Sequence, residues 1–168
     1  MSIRRDNSVD QGAGVDQRVD QQLDQIGPRD LVRQAASQLS ESVCIPTEVI
    51  GDKCACQDEP LRGASLEFRG AYAGTFFAML APAVARSLAA DCFGLRSDEI
   101  TAEREWQLAC ELANVLCGAV LNRLDPNASI QLSTPQPTSV CPRHLRWCER
   151  LETPKGPLCV GLSMFGRG

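Results

Sequence analysis

Residues 97–124 read SDEITAEREWQLACELANVLCGAVLNRL, and the fold turns on them. The spacing predicts one long helix over the whole stretch. Ser97 is a good N-cap, because its hydroxyl can accept from a free backbone N–H of the first turn. Asp98 and Glu99 follow where negative charge suits the helix dipole. Asp125-Pro126 stops the helix, since proline cannot continue the hydrogen-bond ladder. Leu108, Ala109, Leu112, Ala113, Leu116 and Val120 recur at helical spacing and form a wide apolar face.

The opposite face carries the information. Gln107, Glu111, Asn114 and Gly118 are spaced by four, three and four residues, so they stack on one side of the helix. A mid-helix glycine is unfavourable by about 1 kcal/mol relative to alanine. Close approach of another backbone would offset that cost, which makes the stripe a candidate docking surface. Two plainer readings stand beside it. Most polar stripes on amphipathic helices are solvated faces, and a mid-helix glycine can simply let two helices of one domain pack closely.

Glu111-x2-Asn114, followed by Pro137 after a gap of twenty-two residues, resembles the motif of the CheC/CheX/FliY chemotaxis phosphatases. That motif is Ser or Asp, three residues, Glu, two residues, Asn, then a proline at about this distance. ELANVLCGAVLNRL is similar to the family's helix, glycine included. Gln107 departs from the pattern, standing where the family usually has Ser or Asp. The likeness spans about residues 29–166. The first helix, RDLVRQAASQLSESV, carries no E-x-x-N, which implies a single site, as in the CheX type.

The resemblance implies a substrate and a division of labour. The substrate is an aspartyl phosphate on a CheY-like receiver domain. Asn114 orients the attacking water, and Glu111 anchors the receiver's lysine. Gln107, Gly118 and Pro137 belong to the partner-binding surface. The receiver supplies the divalent metal, so this chain needs no cofactor. A homodimer through a sheet edge is also implied. The alternative comes from the same family: a non-catalytic binding or assembly module on the same fold, as in flagellar switch proteins. An exposed Glu111–Asn114 pair favours the enzyme, and a pair consumed by internal bonds favours the module.

Composition bounds these readings. The 168 residues suffice for one domain with a real core, and 43 % hydrophobic with 23 % charged residues fits a globular chain. A net charge of −4 argues against a nucleic-acid partner, because neutralising phosphates needs a basic face. No apolar run reaches membrane-spanning length. MSIRRDNSVDQGAG has no apolar core after its arginines, so it does not read as a secretory signal. The expected compartment is the cytoplasm.

Nine cysteines are many for this length: Cys44, Cys54, Cys56, Cys92, Cys110, Cys117, Cys141, Cys148 and Cys159. An odd count without an export signal disfavours a disulfide framework. Cys54-x-Cys56 and Cys141-x2-His144-x3-Cys148 lack zinc-knuckle spacing, so buried thiols are the favoured reading over metal ligands. A metal or redox sensor would require thiols gathered around one point.

The remaining elements follow in order. Residues 1–27 are a polar tail, with a thin stripe of Val15, Val19, Leu23 and Ile26. Gly27-Pro28 marks the start of a domain over 28–168. A helix is expected over about 29–43, a strand over 47–56 and a turn at Asp58-Glu59-Pro60. Residues 64–69 alternate as a half-buried strand, and 72–80 read as a second strand rich in aromatics. Pro82 opens a helix that Gly94 closes. After the long helix come a strand over 128–133, a loop at Pro137-Thr138-Ser139, a strand over 145–152, a turn at 154–157 and a last strand bearing Leu158, Val160, Leu162 and Met164. The fold class is α+β: a helix–three-strand unit repeated twice, forming an antiparallel sheet flanked by long helices.

Overall fold

An alternating strand beside strands with continuous apolar runs makes up the sheet's middle. In the computed structural model, which describes residues 27, 30–34, 37, 48–51, 60–141 and 147–164, strand β2 (Arg62–Gly70) buries Ala64, Leu66 and Phe68 and exposes Glu67. It pairs antiparallel with β3 (Gly74–Leu80), from Arg62↔Leu80 to Phe68↔Gly74. β3 pairs in turn with β7 (Gly156–Met164), and Phe76, Phe77, Ala78, Met79 and Leu80 are all buried, as central strands require. Phe77 faces Gly161 across this pair. A side chain at Gly161 would run into the Phe77 ring, so glycine is what lets the ring lie over β7.

Strands β1 (Glu48–Gly51), β4 (Ile130–Leu132), β5 (Gln136–Thr138) and β6 (Trp147–Thr153) complete the sheet. Its order is β1-β6-β7-β3-β2-β4, with β5 also on β2. The order reads the same backwards when the two halves of the chain are exchanged: β1 for β4 and β5, β2 for β6, β3 for β7. Each half therefore lends its first strand to the other half's second. The second half has one strand more than the sequence predicts. Pro137 and Thr138, expected in a loop, lie in β5, pairing Ala64↔Pro137 and Gly63↔Thr138. A proline that cannot donate is tolerated there because β5 is an edge strand.

Helix α1 (Pro82–Phe93) begins with proline in its first turn. It ends at Gly94, whose φ of 64° places it in the left-handed region and whose N–H returns to Ala90 O. The long helix differs from expectation at its start. Ser97 opens a separate 3-10 turn, Ser97–Glu99, and Ile100 is extended and buried. Helix α2 runs over Ala102–Leu124 and is capped by Thr101, whose side chain accepts from Arg104 N at 3.4 Å. Sending Ile100 into the core interrupts the helix. Thr101 then provides a second cap, with Glu103 and Glu105 in the first turn. Every residue of the expected apolar face is buried, as are Cys117, Leu121 and Leu124. Truncating one of these leucines to alanine costs about 2–5 kcal/mol.

Residues 30–34 and 37 are helical, in keeping with the first expected helix, and Leu31 and Val32 join the core. Arg33 lies 3.6 Å from the buried Glu149 of β6, and Arg123 of α2 donates to Gln34 at 3.1 Å. The tail before residue 27, Cys44, Cys54, Cys56, His144 and the turn residues Asp58 and Glu59 lie outside the described residues.

Candidate functional site

Helix α2 is pinned from below. Glu105 is three residues before Leu108 and four before Ala109, so it falls on the buried stripe, with 1 % of its surface exposed. A lone buried carboxylate is costly, and two arginines answer it. Arg86 Nε of α1 lies 3.0 Å from one oxygen and Arg62 Nε of β2 lies 3.3 Å from the other. Arg62 also stands 5.2 Å from the ring centre of Trp106. The next residue to the anchoring glutamate is thereby fixed as well. Sequence reading missed Glu105, Arg62, Arg86 and Trp106, although an acid in line with the apolar stripe, one turn before its first leucine, was the available signal.

The outer face of the same helix is open. Gln107, Glu111 and Asn114 are exposed and stack as the spacing predicted. None of their side chains makes a hydrogen bond or ion pair among the described residues. They line a groove of about 600 Å³ together with Glu103, Trp106 and Cys110 of α2 and Thr134, Pro135 and Pro137 opposite.

The opposite wall arises where the edge of the sheet is interrupted. β4 holds β2 at Phe68–Gly70 and β5 holds it at Gly63–Ser65. Between them Ser133 bonds both ways with Glu67, its N–H to Glu67 O at 2.8 Å and its Oγ accepting from Glu67 N at 2.9 Å. Thr134 and Pro135 then leave the edge and lean toward α2, where Cys110 Sγ donates to Pro135 O at 3.8 Å. Pro137 thus reaches the groove although it lies far from Asn114 in sequence.

Gly118 is the exception among the singled-out residues. It sits in a separate hollow of about 150 Å³ with Leu121, Asn122, Ile130 and Leu132. A methyl group added there would meet nothing within 4 Å. Close packing inside this domain therefore does not explain the glycine, at least among the described residues.

Among the described residues the thiols offer little chemistry. Cys117, Cys148 and Cys159 are buried, and Cys92 is exposed. Burial pushes the Cys117 thiol up to about 12 and raises Cys110 as well, so both stay protonated near neutral pH. Among the described residues no three Cys, His, Asp or Glu side chains are placed to hold a metal ion. No helix of the described residues is long and apolar enough to cross a membrane.

Comparison with known proteins converges on one group. No curated protein matches the sequence. Solved structures do match in fold. A chemotactic CheC-like protein from Shewanella oneidensis shares 12 % identity with a TM-score of 0.65, over 80 % of this chain and 95 % of that one. CheX from Vibrio vulnificus shares 12 % at 0.63, over 80 % and 93 %. CheX from Borrelia burgdorferi, solved as a CheX-CheY-BeF3-Mg complex, shares 14 % at 0.62, over 85 % and 99 %. At such identities the likeness is one of fold. Residues 62–149 match the sequence profile described as chemotaxis phosphatase CheX. That span covers more than half of the 168 residues and contains α2, both walls of the groove and the Glu111–Asn114 pair. On that match the chain belongs to the CheX family of chemotaxis phosphatases.

Proposed function

We propose that this chain hydrolyses the aspartyl phosphate of a CheY-like receiver domain, with Asn114 and Glu111 as the working pair. Phosphoryl transfer requires positioning and charge stabilisation around an in-line attack more than covalent chemistry from the protein. A carboxamide suits the first task, since it both donates and accepts hydrogen bonds without adding charge beside the phosphoryl oxygens. Asn114 holds a water in line with the phosphorus. The water oxygen bonds to phosphorus as the bond to the aspartyl oxygen breaks. The carboxylate leaves with the electron pair, and the water's proton goes to the inorganic phosphate. Glu111, one turn away, pairs with the receiver's lysine and fixes the approach. The divalent ion belongs to the receiver.

The observation that carries this reading is the availability of the pair. Glu111 and Asn114 are both exposed, unbonded among the described residues, and mounted on a helix fixed through Glu105. Support also comes from the Borrelia relative, whose structure contains CheY. A second reading, a receiver-binding module without turnover, is favoured by Gln107, which faces the same groove where the family usually has Ser or Asp. Phosphate release from a phosphorylated receiver domain separates the two. Turnover that disappears in Asn114→Ala supports the enzyme. Turnover unchanged in that variant removes Asn114 from the mechanism, and binding without any wild-type turnover leaves the module.

A further inference from the structure

The water-positioning pair uses only one end of the groove. The other end is walled by Trp106, Cys110, Pro135 and Pro137, and the groove's lining is mostly apolar. This apolar end is built, not incidental. The Trp106 ring is backed by the Arg62 guanidinium, which is itself tied to buried Glu105, while Pro135 is tied to Cys110. Glu103 sits on the rim about 12 Å along the helix from Glu111, at 1.5 Å per residue. Both carboxylates are exposed and without an ion pair among the described residues. Apolar surface rimmed by polar groups marks an interaction site.

We propose that this end of the groove receives an apolar side chain, with a basic neighbour that meets Glu103, from the surface of the receiver domain that presents its acyl phosphate to Asn114. The proposal rests on the receiver reading above. Two observations select this occupant: the pocket is continuous with the Glu111–Asn114 end of the same groove, and its unpaired rim charge is negative. Burying one apolar side chain in a preformed pocket is how interfaces concentrate affinity in a few anchors. Trp106 then governs which receivers are accepted, and Arg62 acts as a positioning residue behind it.

The test measures binding apart from hydrolysis. Purified CheY-type receiver domains of the source organism, loaded with beryllofluoride and Mg2+, are titrated against the full chain, and phosphate release is followed with the phosphorylated forms. Trp106→Ala is expected to weaken binding at least tenfold and to raise KM by a similar factor, with kcat changed less than twofold. Glu103→Lys, an exposed change at the start of the helix, is expected to weaken binding three- to tenfold, with a smaller effect at high salt. Undiminished affinity in both variants overturns the pocket while leaving the phosphatase reading intact. A change in the chain's own oligomeric state with receiver affinity unchanged assigns the pocket to a second copy and also overturns the proposal. Weakened binding in Trp106→Ala, beside full turnover in Asn114→Ala, upholds the pocket and removes only the catalytic assignment. No receiver bound by the wild-type chain overturns the partner reading and the pocket's occupant together.

Discussion

Glu105 and Glu111 are the same side chain on the same helix, and they are used in opposite ways. Glu105 faces the sheet, is 1 % exposed and is held by Arg62 and Arg86 from two other elements. Glu111 faces outward and is held by nothing among the described residues. A buried carboxylate must be neutralised where it sits, so it becomes a fastener. An exposed one keeps its bonding capacity for whatever arrives. The helix thus separates its duties by face: the inward side anchors the element that carries the outward side, which is what preorganising a site requires.

Substitutions on the two faces should therefore separate stability from activity. The largest effect is expected at Asn114. Asn114→Ala should lower kcat for receiver dephosphorylation by about two to three powers of ten, equivalent to about 3–4 kcal/mol, with an unchanged melting temperature. A parallel fall in melting temperature would break the separation. Next is the fastener. Replacing both Arg62 and Arg86 with alanine strands a buried charge and should cost about 3 kcal/mol in denaturant unfolding, whereas Glu111→Gln should stay within about 0.5 kcal/mol.

The neighbouring pair Cys117 and Gly118 repeats the contrast on a smaller scale. Burial raises Cys117 from 9.0 to about 12. The unfolded thiol ionises first, so its contribution is complete below pH 9 and is lost as pH climbs toward 12. By about pH 10 the loss should be about 1 kcal/mol, absent in Cys117→Ala. Gly118 has open space above it, so Gly118→Ala should raise stability by about 0.5–1 kcal/mol, read as a higher melting temperature. If the same change weakens receiver binding, the glycine serves an incoming backbone.

Periodicity explains which parts of this were legible in the sequence. The apolar stripe of α2, the alternation in β2 and the Pro82–Gly94 limits of α1 are local signals, and the structure has all three. Ser97 misled because two good caps lie four residues apart, and the choice between them depends on where Ile100 is buried, which is a tertiary matter. Pro137 misled because three residues of edge strand bonded to a distant partner leave no local pattern. The exposed stacking of Gln107, Glu111 and Asn114 was readable from spacing alone, while the separate place of Gly118 was not. The fastener beneath it was readable only in part, since Glu105 stands out in the stripe while its arginines come from other elements.

The reciprocal strand order has a consequence for how the molecule can be divided. Because β1 is held by β6 and β4 by β2, a cut between α1 and α2 would leave two fragments, each missing an outer strand. Neither fragment is self-sufficient, yet each carries what the other lacks. Such fragments should remain unstructured when expressed singly and reconstitute on mixing, and the rebuilt heterodimer would carry Glu111 and Asn114 on one piece and the buttress Arg62 on the other.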